Sequence, residues 1–270
     1  MSKIMLTTAL KGLCVGGTML VPGVSGGSMA MILGIYDKLI ESVSSFFKDI
    51  KNSLIFLVTF SLGAGVGMIL LAKPLLHLIE SYPMLLLYFF IGVVAGGVPM
   101  IYQKAEVRSI SWKVFLYPAA GLAAVLLFEL LPADFFQMGT GEGMPGFLLL
   151  AAAGIVAAVA LVLPGISVSY LLLLMGIYDK TMMAIGDFNL AFLIPLGSGI
   201  ILGIILTTKL LENAMKNHTQ ATYLIILGFV AGSVAEVFPG VPQGIEFIFC
   251  IAAFIAGFGM IQLLYSIERS

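Results

Sequence analysis

Charge is scarce in this chain. Only 10% of its 270 residues are Asp, Glu, Lys or Arg, against 60% apolar residues and a mean hydropathy of +1.13. Soluble domains carry about a quarter charged residues, so a soluble reading is excluded and a polytopic membrane protein is expected. Net charge is −1, with no dense basic stripe, which argues against a nucleic-acid partner. There are two cysteines, Cys14 and Cys250, in separate apolar stretches. They read as small hydrophobes rather than a disulfide or metal framework. Only two histidines, His77 and His218, are present. The sequence holds no P-loop and no H-E-x-x-H, so ATP hydrolysis by this chain, a metal centre and a cofactor are not expected. Ahead of the first apolar stretch stands Lys3, with no small-residue cleavage site following. That stretch is expected to be a membrane segment rather than a signal peptide.

What the chain does have is a duplicated interruption. Val21-Pro22-Gly23-Val24-Ser25-Gly26-Gly27-Ser28 runs on to Gly34-Ile35-Tyr36-Asp37-Lys38. At a shift of 142 positions, Leu163-Pro164-Gly165-Ile166-Ser167-Val168-Ser169 runs on to Gly176-Ile177-Tyr178-Asp179-Lys180. The two eighteen-residue blocks align without a gap and share eight identities. The later parts repeat at a shift of 136: Gly63, Gly67, Lys73, Gly92, Gly96 and Ala120-Gly121 match Gly199, Gly203, Lys209, Gly228, Gly232 and Ala256-Gly257. Glycines four apart suit close helix–helix contact in a membrane.

Apolar runs predict full spans over 54–72, 83–102, 113–131, 191–208, 221–237 and 245–267. The knot-bearing stretches, 4–47 and 147–185, are too long for one crossing and marginal for two. Each is read as a re-entrant hairpin of two half-helices. The fold expected is therefore all-α: an inverted repeat, with repeat one over 1–134 and repeat two over 142–270, each one hairpin plus three spans. Duplicated broken helices are the best sequence pointer to a transport site. With re-entrant hairpins, Lys3, Lys38, Lys48, Lys51, Lys104, Arg108, Lys113, Lys209, Lys216 and Arg269 share one side, and only Lys73 and Lys180 the other. If the knots crossed instead, the split would be seven against five. The positive-inside rule selects the first arrangement, with both termini cytoplasmic in the cell membrane. Trp112 beside Lys113 reads as an interface anchor.

Pro22-Gly23 and Pro164-Gly165 end the entering half-helix, because proline cannot donate the next bond and glycine accepts positive φ. Ser25 and Ser167 then take the N-cap position of the exiting half. Its first N–H groups lack intrahelical partners and make a ready anion site. The expected headgroup residues are Ser25, Gly26, Gly27 and Ser28 in the first copy and Ser167, Val168 and Ser169 in the second. Val168 and Tyr170 replace Gly26 and Ser28, so the first tip is expected to hold more of the anion. Lys73, His77 and Glu80, one helix face, and Glu129 and Glu236, near span ends, are the candidate entry or coupling charges. Asp37-Lys38 and Asp179-Lys180 are expected as solvated caps or local ion pairs ending the hairpins.

The paired PGVSGG…GIYDK and PGIS…GIYDK motifs resemble those of the membrane proteins long called domain of unknown function 368, regarded as undecaprenyl-phosphate (polyprenyl-phosphate) transporters. The resemblance spans nearly the whole chain and departs at Val168, where the family pattern continues with glycine. It implies a flippase that returns the lipid carrier from the outer to the cytoplasmic leaflet, with Pro22, Gly23, Ser25, Gly26, Gly27, Pro164, Gly165 and Ser167 around the headgroup. The partners implied are the bilayer, a polyprenyl phosphate and, as an open alternative, further copies of the chain. Two other readings compete: a transporter of another small or lipid-linked anion, and an intramembrane serine protease. Gly23-Val24-Ser25-Gly26-Gly27 matches G-x-S-x-G formally, but the hydrolase elbow needs a strand and an α/β core. A protease would also need His77 or His218 beside Ser25. An enzyme is therefore not expected.

Overall fold

The computed structural model describes residues 2–21, 24–109, 111–131 and 143–269. The regular elements among them are all helical. They are α1 (Ser2–Thr18), α2 (Gly26–Ile32), α3 (Tyr36–Ser44), a 3-10 turn (Phe46–Lys48), α4 (Ile50–Ser81), α5 (Pro83–Lys104) and α6 (Lys113–Glu129). The second half repeats the series as α7 (Gly143–Val162), α8 (Val168–Leu174), α9 (Tyr178–Gly186), α10 (Leu190–Asn217), α11 (Thr219–Val237) and α12 (Glu246–Arg269). Four helices are long and apolar enough to cross a membrane: α4, α5, α10 and the 246–267 part of α12. The other two expected spans form α6 and α11, whose described apolar stretches, Lys113–Leu127 and Thr219–Ala235, are shorter. Large apolar side chains such as Leu62, Ile69, Ile201, Leu210, Ile248 and Leu263 stand exposed, as a lipid-facing surface requires.

Local chemistry explains the boundaries. Asp49 caps α4, its Oδ1 accepting from the Asn52 N–H at 3.2 Å. The Asn52 side chain and backbone N–H hold the Asp49 carboxyl below its ordinary range. Pro83 opens α5 at its first position. Asn189 caps α10 by accepting from the Phe192 N–H. Pro74, Pro99, Pro118 and Pro195 sit inside helices, a placement membrane helices tolerate.

Each knot stretch contains a second break that the sequence reading did not anticipate. Gly34 and Gly176 adopt φ of 67° and 66°. Around each, paired bonds run from Gly34 N to Met31 O and Ile35 N to Ala30 O, and from Gly176 N to Leu173 O and Ile177 N to Leu172 O. This is the Schellman cap, repeated in both halves. The exit arm is therefore two short helices in place of the expected half-helix, and α8 and α9 are bent by 114°. Asp37 and Asp179 consequently open α3 and α9 instead of ending the hairpins.

The repeated glycines set the helix contacts. A side chain on Gly63 or Gly67 would strike the carbonyl of Ala9 or Leu13, and one on Gly199 the carbonyl of Ala151. Gly203 lies against Ile155 in the same way. So α4 packs on α1 and α10 on α7, each pair in ascending register and running in one direction. The next layer exchanges between halves. Gly92 abuts Phe254 and Gly96 abuts Ile261, as Gly228 abuts Pro118 and Gly232 abuts Val125. Thus α5 lies along α12 and α6 along α11, again in ascending register. Every one of these contacts maps onto its partner under the shifts of 142 and 136. Gln262 adds a bond from its Nε2 to the Gly96 carbonyl at 2.7 Å across α12 and α5.

Candidate functional site

The two knots meet. A Cβ on Gly27 would lie 3.2 Å from the Pro164 Cα, so the start of α2 rests on the second break. Pro164 is fully buried, and Gly165 has φ of +82° with the Phe229 carbonyl directly against it. Pro22 and Gly23 lie outside the described residues. Around the junction opens a cavity of about 940 Å³, lined by parts of α1, α2, α3, α4, α7, α8, α9 and α10. Its walls are mostly apolar: Val15, Leu39, Leu57, Phe60 and Leu173 among them. No Asp, Glu, Lys, Arg or His is among the described residues that line it.

Of the expected headgroup residues, Ser25, Gly26, Gly27, Ser167, Val168 and Ser169 line this cavity together. Ser28 does not; it is 2% exposed, and its Oγ has no hydrogen-bond partner among the described residues. The two N-cap serines behave differently. Ser167 Oγ accepts from the Tyr170 N–H at 3.3 Å, closing a cap. Ser25 has extended N-cap dihedrals, φ −75° and ψ 132°, but makes no capping bond, so its hydroxyl remains available to the cavity. Because α2 and α8 both start here, the N–H groups of Gly26, Gly27, Val168 and Ser169 are first-turn donors without intrahelical acceptors. A phosphate would find N–H and hydroxyl donors, no repelling carboxylate and no fixed counter-charge.

Several lining residues were not singled out from sequence. Tyr36, deeply buried, donates from its hydroxyl to the Val162 carbonyl at 2.6 Å, satisfying one of the open carbonyls that end α7. Tyr170 donates to the Leu131 carbonyl at 2.8 Å, and Thr208 to the Ile204 carbonyl at 2.7 Å. Ser61 and Tyr178 also face the space. The signal for Tyr36 and Tyr178 was present, since the repeated Gly-Ile-Tyr-Asp-Lys contains both.

The candidate charges fall elsewhere. Lys73, His77 and Glu80 are exposed on the continuous helix α4 and do not line the cavity. The side chains of Glu129 and Glu236 lie outside the described set. Asp37 pairs with Lys104 of α5, not with its neighbour Lys38; Lys38 lies 5.0 Å from the Phe56 ring centre. Asp179 and Lys180 are exposed. His218 is exposed between α10 and α11, and neither histidine lines the cavity. Ser25 therefore has no imidazole beside it, which removes the geometry a serine protease needs.

A family described as undecaprenyl phosphate translocase-like matches residues 15–247. The chain belongs to that family. It is 32% identical over 260 residues to a protein of Staphylococcus aureus (strain NCTC 8325 / PS 47) named polyprenyl-phosphate transporter, covering 92% of each chain. It is 28% identical over 251 residues to a polyprenyl-phosphate transporter of Vibrio cholerae serotype O1 (strain ATCC 39315 / El Tor Inaba N16961), covering 87% of this chain and 78% of the relative. No solved structure matches. In this translocase-like family member, residues of both knots thus line one cavity of about 940 Å³.

Proposed function

We propose that this protein transports a polyprenyl phosphate of the undecaprenyl type, returning it from the outer to the cytoplasmic leaflet so that the envelope lipid carrier is recycled. The observation that carries the reading is the single, mostly apolar cavity onto which both knots open their N–H and hydroxyl donors, in a chain whose relatives bear the name polyprenyl-phosphate transporter. The headgroup binds at Ser25, Gly26 and Gly27 against Ser167, Val168 and Ser169. The apolar walls accept the first isoprene units, and the rest of the tail stays in lipid.

The parallel registers of α1 with α4, α5 with α12, α6 with α11 and α7 with α10 support the proposed topology. The links between α4 and α5 and between α10 and α11 are one residue long, so those helices run antiparallel. Parallel α1 with α4 and parallel α7 with α10 support hairpins that each return to their starting face, and together with the cation split they support our reading of an inverted repeat with boundaries near 1–134 and 142–270. The ten-to-two cation split supports cytoplasmic termini.

The test is purified protein in liposomes with a polyprenyl phosphate in one leaflet, scoring headgroup sidedness. Transfer dependent on the protein is expected, with inorganic phosphate and uncharged polyprenol both weak competitors. If inorganic phosphate competes as well as the lipid itself, a small-anion transporter is the better reading.

A further inference from the structure

The repeat is symmetric in sequence and in its helix–helix scaffold, yet the two hairpins are not equally engaged. Hairpin one makes three contacts, two with the other half and one with α5 of its own half. Tyr36 Oη donates to the Val162 carbonyl. Ser44 Oγ donates to the Glu212 carboxylate, with Ser45 Oγ at 3.5 Å from the same oxygen. At the third, α2 packs on α5, Ile32 lying against Gly97. Under the repeat shifts the Tyr36 contact maps onto Tyr178 and Leu20 and the α2–α5 contact onto α8 and α11, and among the described residues neither is made; the Ser44–Glu212 bond maps onto Gly186 and Leu76, which carry no such groups. Tyr178 corresponds to Tyr36 and Leu20 to Val162, and all four line the cavity, but no described hydrogen bond joins Tyr178 to Leu20. While α3 packs against α10, α9 makes no comparable contact with α4. Nor does α8 pack on α11 as α2 packs on α5.

We infer that Tyr36 and Tyr178 are alternating gate residues: each closes its hairpin by donating to the carbonyl at the end of the other half's entering helix, and only one is closed at a time. The structure is then the form closed at hairpin one and open at hairpin two. In the opposite form Tyr178 donates to the Leu20 carbonyl, drawing α9 toward α4, and Tyr36 releases the Val162 carbonyl. Because the halves share one scaffold, exchanging the two engagements interconverts the forms without repacking α1 on α4 or α7 on α10. The open tyrosine also presents a hydroxyl donor to the cavity. This inference rests on the transporter reading for its purpose, but not for its geometry.

The test is therefore lipid-free. In a protein carrying Cys14→Ser and Cys250→Ala, spin labels at Ser45 and Asn213 report the first engagement. Labels at Asp187 and His77, the corresponding positions, report the second. Pulsed electron resonance in nanodiscs is expected to give a short Ser45–Asn213 distance and a long Asp187–His77 distance. Tyr36→Phe should raise the share of the exchanged distances about 2- to 12-fold, the range for loss of one net hydrogen bond. Tyr178→Phe should lower that share. Opposite responses to the same chemical change separate gating from general destabilisation. If both variants shift the distances the same way, or if Tyr36→Phe leaves both distributions unchanged in a folded protein, the alternating-gate inference is wrong. Those readouts use no substrate, so failure here would leave the liposome result standing, and the reverse.

Discussion

A single oxygen distinguishes the two knots. Ser167 spends its hydroxyl on the Tyr170 N–H, whereas Ser25 makes no capping bond. Removing each should thus have different consequences. Ser167→Ala is expected to cost about 0.5–2 kcal/mol of stability, the usual value of a cap, read as a fall in melting temperature in detergent. Ser25→Ala should leave melting unchanged and reduce lipid transfer; equal melting losses in both variants would contradict the assignment. Gly165 is the most constrained position of the second knot. Its φ of +82° alone makes a Cβ cost about 1–3 kcal/mol, and the Phe229 carbonyl occupies the space that Cβ would need. Gly165→Ala is therefore expected to lower the melting temperature more than Ser167→Ala. The serines and glycines of the knots were legible in the sequence because helix-breaking chemistry is local. That Ser28 would be buried was not, since its neighbours come from distant parts of the chain.

Helix pairs are held by backbone approach at particular glycines, and α12 offers an internal control. A side chain on Gly257 would meet the Phe89 carbonyl at 2.2 Å, while Gly259, two residues on, has nothing within 4 Å. Both substitutions relieve the same glycine helix-propensity cost, about 1 kcal/mol. Gly257→Leu should nevertheless destabilise strongly by separating α12 from α5, and Gly259→Leu should be neutral or slightly stabilising. Thermal-shift measurements on the two purified variants check this, and equal effects would refute glycine-mediated packing at Gly257. The repeat of glycines at one shift was readable from sequence, but their partners were not. Nothing in the spacing says that Gly63 meets its own half, at Ala9, while Gly92 meets the other, at Phe254. Likewise the break at Gly34 and Gly176 sat inside the quoted motif. The break is not legible there, because apolar runs signal burial and length, whereas a Schellman cap depends on two backbone bonds.

At the scale of the whole molecule, the proposed inverted topology puts Lys38 and Lys180 on opposite faces although they occupy equivalent places in the repeat. Lys38→Cys and Lys180→Cys, in a background without Cys14 and Cys250, should react with a membrane-impermeant thiol reagent from opposite sides of intact cells. Labelling from the same side would overturn the inverted arrangement and with it the meeting of two tips from opposite leaflets. Composition alone made this a membrane protein, because a chain with so few charges has no way to solvate a soluble surface. Duplication alone announced two equivalent halves, and Pro-Gly with a following serine marked where each chain must leave helical geometry. Those are consequences of residue chemistry within a few positions. Tertiary structure decided that both knots open onto one cavity, that no charged side chain among the described residues lines it, and that Tyr36 donates to the Val162 carbonyl while no described hydrogen bond joins Tyr178 to Leu20. These depend on contacts between residues more than a hundred positions apart. In a membrane such contacts are set by close packing and by the need to satisfy every buried polar group, neither of which leaves a trace in local pattern.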